Sequence, residues 1–191
     1  MNMSICKFFV LLVLFCGIGS APISGFASQS VRSNGSLEVA FSPDEGGEQL
    51  VIKVIDAARS EIKMLAYSFT SAPIVRALLA AHKRGVLVSV VADEKSNLSD
   101  GGGNRKAVAA LSALANAGID VRVTSAWAVH HDKTLSVDKL HVETGSFNFS
   151  TSAESRNSEN VLVNWNNPEL AAIYLKHFER NYKQSRPFTP R

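Results

Sequence analysis

Leu37, Val39 and Phe41 alternate with Glu38 and Ala40, and the spacing then changes to threes and fours at Leu50, Val51, Val54, Ile55 and Ala58. The first period suits a strand and the second a helix with one apolar face. Ser42-Pro43-Asp44-Glu45-Gly46-Gly47 separates the two as a break. The exchange repeats. Ile62–Phe69 reads as a strand. Ile74, Val75, Leu78 and Leu79 mark a helix with Pro73 in its first turn and Gly85 at its end. Val86–Ala92 is nearly continuously apolar, as in a strand covered on both faces. Val108, Leu111, Leu114 and Ala115 predict a third helix closing at Gly118, and Ile119–Val123 another strand. Such alternation predicts an α/β domain with a mixed, largely parallel sheet flanked by helices. Beyond it the pattern changes. Lys133–Val137 and Leu140–Thr144 read as strands joined tightly at Asp138-Lys139, Ser152–Ser158 as a short helical turn, Val161–Trp165 as a strand and Pro168–Tyr182 as a closing helix. No internal repeat is visible.

The ends are different in character. Residues 1–27 carry Lys7 as their one charge and an unbroken apolar run from Phe8 to Phe15. This reads as a secretory signal peptide, too short for a comfortable membrane span. Gly25-Phe26-Ala27 places cleavage before Ser28, and an uncleaved anchor is the alternative. A lipoprotein site at Cys16 is disfavoured by bulky Phe15. The expected location is secreted or periplasmic, with no stable membrane partner after cleavage. Residues 28–35 read as a flexible lead, 36–183 as one catalytic domain, and 184–191 as a flexible tail. Both cysteines, Cys6 and Cys16, precede the cleavage point, which excludes disulfides and thiolate metal sites from the mature chain. Without Lys7 there remain 19 basic and 17 acidic residues, a net charge of +2 that selects no partner by itself.

The candidate chemistry lies between residues 131 and 160. His131 and Lys133 are two apart, so an extended strand sets an imidazole beside a cation on one face. Ser146 and Asn148 repeat the device within Gly145-Ser146-Phe147-Asn148. A nucleophile beside a cation and neutral donors suits phosphoryl transfer, where charge on equatorial oxygens must be met by positioned groups. His130 falls on the other face with Asp132. His130, His131, Asp132 and His141 do not have convincing metal-ligand spacing, so neither metal nor cofactor is expected. His82 and His177 read as structural, and Trp127 as core or rim, with base stacking as its alternative. The loop Glu94–Arg105 holds three glycines but lacks the Lys-Ser/Thr pair of a P-loop. It lies after a strand, at the edge where ligands approach α/β sheets, so Lys95, Asn97 and Arg105 are candidate substrate contacts.

His131-x-Lys133-x4-Asp138 followed by Gly145-Ser146-x-Asn148 resembles the signature of the phospholipase D superfamily. The resemblance continues through Glu154, Asn157, Glu159, Asn160 and Val161-Leu162-Val163. It is nearest to the small single-motif members, the secreted or periplasmic endonucleases. Nearly all of the mature chain follows in order of elements, but the specific content lies in His131–Asn160. The resemblance implies a phospholipase D-like fold and a metal-independent phosphodiesterase. In it His131 forms a phosphohistidine, Lys133, Ser146 and Asn148 hold the phosphate, Glu159 orients His131, and Asp138 lends support. Glu154 is a less well-spaced competitor for the role of Glu159.

One imidazole cannot both attack phosphorus and protonate the leaving oxygen on its far side. The chain has one His-x-Lys, so a homodimer with a shared site is expected. The expected substrate is DNA, with RNA as a variant, cleaved with weak sequence selectivity. The alternatives are a phospholipase D or phosphatidyltransferase, and a silent nucleic-acid-binding module.

Overall fold

The alternating segments condense into one eight-stranded sheet in the order β1-β7-β6-β5-β2-β3-β4-β8. The computed structural model describes residues 28–98 and 104–190, so the signal-peptide reading and the glycines 101–103 lie outside the described residues. Every element named here belongs to the unit Val31–Arg191. Its strands are β1 (Ser36–Ser42), β2 (Glu61–Ala66), β3 (Leu87–Asp93), β4 (Asp120–Thr124), β5 (Lys133–Val137), β6 (His141–Gly145), β7 (Glu159–Trp165) and β8 (Arg186–Pro187). Its helices are α1 (Gly47–Ala57), α2 (Ala72–Lys83), α3 (Glu94–Leu98), α4 (Arg105–Asn116), α5 (Thr151–Ser155) and α6 (Pro168–Lys183). No helix among the described residues is long and apolar enough to cross a membrane.

The sheet is mixed and helix-flanked as expected, but it is not largely parallel. Only β2–β3 and β3–β4 pair parallel, while the other five neighbouring pairs are antiparallel. The reason is connection length. A parallel neighbour needs a crossover of a dozen or more residues, which α2 and α4 supply. The three-residue turn between β5 and β6 cannot make one, and β1 is carried to the far edge to pair with β7. Asp138 and Lys139 both adopt positive φ, 54° and 57°, as a tight hairpin turn requires.

The main core lies between the sheet and α1, α2 and α4, where Val54, Ile55, Ile74, Leu78, Leu111 and Leu114 are fully buried against Met64, Val90 and Leu135. On the opposite face α6 packs over β2, β5 and β6, with Phe178 against Leu65 and Val91. That helix leaves the outer face of β1 and β7 bare. The tail read as flexible is instead docked. Arg186 and Pro187 form the edge strand β8 on β4, the Phe188 amide donates to the Val121 carbonyl at 2.9 Å, and the Phe188 ring is buried. A proline is tolerated there because an edge strand has a free side.

Candidate active site

The ends of five strands come together at one edge of the sheet and supply the site. The C-terminal ends of β2 and β3 lie beside the start of β5, whose Lys133 pairs with Ala66. The β5–β6 register puts Lys133 opposite Gly145, and Gly145 pairs with Val161 on β7. Gly145 is required here, since a Cβ would sit 2.1 Å from the Asn160 carbonyl oxygen. After Gly145 the chain stays extended and sorts its side chains by face. Phe147 and Phe149 are fully buried, while Ser146 and Asn148 are partly exposed. The Phe149 carbonyl accepts from the amides of Thr70 and Ser71 at 2.9 and 3.0 Å, which ties this segment to the end of β2.

The alternation around residue 131 is as the sequence implies. His130 and Asp132 face α6, where Asp132 Oδ2 accepts from His177 Nε2 at 3.0 Å and lies 3.5 Å from His130 Nδ1. His131 is exposed, and Lys133 is buried with its Nζ donating to the His131 carbonyl at 2.8 Å. Burial pulls the Lys133 ammonium below its ordinary pKa, against the opposing pull of the Glu159 and Asp132 carboxylates. Burial likewise lowers His130, against the attraction of Asp132 and Asp93.

Ser146 Oγ donates to Glu159 Oε2 at 2.5 Å and accepts from both the amide and the Nδ2 of Asn160 at 3.1 Å. Glu159 Oε1 accepts from Asn157 Nδ2 at 2.9 Å. Glu159 was expected to hold the second nitrogen of His131. Among the described residues no hydrogen bond joins them, and the carboxylate is instead held by Ser146 and Asn157. The Asn148 Oδ1 position is buried without a protein partner, which leaves that amide for a ligand.

Asp138 is not part of this constellation. It lies at the opposite end of β5, and its carboxylate accepts from the amides of Arg59, Ser60 and Glu61 and from the Ser60 hydroxyl, at 2.7 to 2.9 Å. Burial alone would raise this carboxyl, but those four donors outweigh it and hold it below the usual range. His141 and Glu154 also lie outside it. His141 is at the far end of β6, accepting from the Asn166 amide at 3.0 Å and packing edge-on against Trp165. Glu154 Oε2 accepts from the Glu48 amide at 2.9 Å in the first turn of α1. Lys95 and Arg105 are exposed near the same sheet edge and make no hydrogen bond or ion pair with site residues among the described ones. Asn97 is fully buried and structural. Its amide donates to the carbonyls of Tyr67 and Asp93, and its oxygen accepts from the Phe69 amide.

Two contributors were missed from the sequence. Tyr67, just past β2, packs against the His131 ring at 4.6 Å between centroids, and Lys133 Nζ lies 5.2 Å from the centroid of the Tyr67 ring. Asp93, the last residue of β3, accepts from the His130 amide at 2.9 Å and so fixes the segment entering His131. Their signal was position, since both stand where a parallel strand ends, and that is where such sheets bind ligands. Among the described residues no group of three or more His, Cys, Asp or Glu side chains is arranged to hold a metal.

Comparison with known proteins agrees with this geometry. The family model described as cardiolipin synthase, PLD-like domain, matches residues 51–182. A protein named phospholipase D from Rickettsia conorii is 36% identical over 149 residues, which is 78% of this chain and 70% of that one. Human mitochondrial cardiolipin hydrolase is 33% identical over 137 residues, 72% of this chain and 51% of that protein. Among solved structures, the phospholipase D family member Nuc from Salmonella typhimurium shares 44% identity with a TM-score of 0.77, over 80% of this chain and 97% of its own. NucT from Helicobacter pylori, at 21% identity and a TM-score of 0.66, shares the fold. With a matching domain model, substantial identity to these relatives and the His-Lys-Ser-Asn cluster on one sheet edge, the chain belongs to the phospholipase D superfamily of phosphodiesterases.

Proposed function

We propose that the protein is an exported, metal-independent endonuclease that cleaves DNA through a phosphohistidine in a homodimer. The carrying observation is the exposed His131 imidazole beside the buried Lys133 cation, with Ser146 and Asn148 on the neighbouring segment. An imidazole nitrogen of His131 attacks phosphorus, a P–N bond forms, and the P–O bond to the leaving sugar breaks. Lys133 and the Asn148 amide meet the nonbridging oxygens, whose charge grows in the transition state. Ser146 is tied to Glu159 and Asn160, so its hydroxyl is held in a fixed position. The leaving oxygen takes its proton from the partner's His131. That imidazole, now neutral, deprotonates the water that hydrolyses the phosphohistidine.

The dimer is supported by a bare apolar stripe. Leu37, Val39 and Phe41 on β1 are 58, 52 and 48% exposed and stand beside Leu162 and Asn160 on β7. Solvent-facing apolar patches of this kind mark interaction surfaces. The stripe ends at Phe41, next to the Ser42–Glu159 pair at the site, so a second copy seated there brings two sites together.

The nucleic-acid reading rests on resemblance to the compact endonucleases of the superfamily. A second reading, hydrolysis of a phospholipid, is favoured by relatives named phospholipase D and mitochondrial cardiolipin hydrolase. Plasmid nicking, measured in EDTA beside hydrolysis of phosphatidylcholine and cardiolipin vesicles, separates the two. The expected result is nicking that survives EDTA, is abolished by His131→Ala and is retained by folded His130→Ala. Activity restored only by Mg²⁺ or Zn²⁺ would overturn the metal-independent mechanism, and hydrolysis of lipid without DNA cleavage would overturn the substrate.

A further inference from the structure

A cleft of about 320 Å³ opens at His131, which forms part of its lining, and extends to the last turns of α6. Its walls come from the segment before β5 and from the last turns of α6. Trp127 is 40% exposed there, and its orientation is fixed. The indole Nε1 donates to Asn181 Oδ1 at 2.9 Å, and the buried Asn181 amide donates to the His177 carbonyl at 3.0 Å. The Arg180 guanidinium lies 5.2 Å from the Trp127 ring centroid and donates to His177 Nδ1 at 3.1 Å. His177 must then carry its proton on Nε2, where it donates to Asp132 Oδ2. A chain of side chains thus runs from the residue next to the nucleophile to an aromatic plate and a cation. Arg180 has no carboxylate within ion-pair distance among the described residues, so most of its five donors are open to a ligand.

We propose that Trp127 and Arg180 form a nucleotide subsite, in which a base stacks on the indole and Arg180 binds the phosphate next to the scissile one. This rests on the nucleic-acid reading above and names where the flanking nucleotide goes. Alternation of an aromatic face with a cation is how single strands are held without base readout. The size agrees, being at the small end of ligand sites, which run from about 300 to 1,000 Å³. An acyl chain would find little to cover it, since only Trp127 and Val129 are apolar while His130, Asp132, His177 and Arg180 are polar or charged. The locked indole loses little freedom on binding, which favours stacking.

The test uses short single strands with one cleavable phosphodiester, the other linkages being methylphosphonates, and either a base or an abasic sugar on each side of it. Wild type should cleave the base-bearing strand with a kcat/KM about tenfold above one of the two abasic strands, the size of one stacking contact. Trp127→Ala should erase that ratio by slowing only the base-bearing strand, and Trp127→Phe should keep most of it. Arg180→Gln should slow cleavage at the original position in strands whose neighbouring linkage is restored to a phosphodiester, the two products being resolved by length, and leave the strands with a neighbouring methylphosphonate unchanged. A merely structural role for Trp127 would slow all strands alike and leave the ratio intact, which overturns the subsite. So would a wild-type ratio near one, or a Trp127→Ala variant impaired on phosphatidylcholine vesicles but not on DNA. Failure of wild type to cleave any strand while it still nicks plasmid would overturn the subsite alone, and failure on both would sink the nucleic-acid reading with it.

Discussion

Side-chain identity at a few positions carries most of what this fold does, and neighbours decide what each identity means. Asp138 and Glu159 are both carboxylates in the motif region, yet one clamps a turn and the other braces a serine. Glu143 is a third case. It is fully buried on β6 between Leu135 and Val163, and burial raises its carboxyl well above the usual range. An acid with a raised folded pKa keeps its proton longer in the native state than in the unfolded one. Unfolding therefore releases a proton once the pH passes about 4.3, the unfolded value, and stability falls from there until the native group also ionises. Glu143→Gln removes that dependence. Thermal or urea unfolding of variant and wild type should differ by a constant below pH 4, and the difference should then grow in favour of the variant toward pH 8. A pH-independent difference would mean that the native carboxyl is already ionised. The chemistry at this scale was legible where it is local. The His-x-Lys and Ser-x-Asn pairs follow from strand periodicity alone. Partners such as Tyr67 for His131, or Asn157 for Glu159, depend on which strand ends meet.

At the scale of elements, the periods of two and of three to four located nearly every strand and helix, because each amphipathic face obeys them wherever it ends up. Strand order was not legible in the same way. Period says which residues face inward and nothing about which neighbour a strand chooses, so the pairing of β1 with β7 and the mostly antiparallel order were out of its reach. The tail was misread because two prolines weaken any strand signal, while burial of Phe188 and pairing with β4 outweigh it. The β5–β6 hairpin shows how one side chain joins elements that periodicity cannot. Asp138 sits at the turn and takes three amides at the start of β2, so β5 is locked in register beside β2 at the end remote from Lys133. Asp138→Ala should destabilise the fold by about 2 kcal/mol, as expected for lost hydrogen bonds to a charged group, and leave kcat per folded molecule unchanged. Because the native pKa is depressed, this contribution is complete above about pH 4 and is lost as the pH falls through the native value. Acid unfolding should therefore show wild type and variant converging at low pH. A large drop in kcat at full folding would return Asp138 to the catalytic set.

At the scale of the whole molecule, the unresolved step of the chemistry is the second proton. A single chain presents one nucleophilic imidazole, and His141 and Glu154 are both committed elsewhere. The proposed dimer supplies the missing acid, and the exposed stripe of Leu37, Val39 and Phe41 gives it a surface. Val39 lies at the centre of that stripe, opposite Leu162. Val39→Asp should leave the circular dichroism of the fold unchanged, yield a monomer in sedimentation, and lower cleavage by at least about a hundredfold, the usual worth of a general acid. Co-expression of His131→Ala subunits with wild type tests the same point without touching the interface. A heterodimer keeps one nucleophile and lacks its partner acid, so activity should fall faster than the wild-type fraction. Activity proportional to that fraction, or a fully active Val39→Asp monomer, would show that each subunit works alone. The acid would then have to come from within one chain. Lys133 does not meet that need, because it stands beside His131 and so on the attacking side of phosphorus. Its part is to hold charge, and Lys133→Ala should therefore cost more activity than Lys133→Arg, which keeps the positive charge on the phosphate.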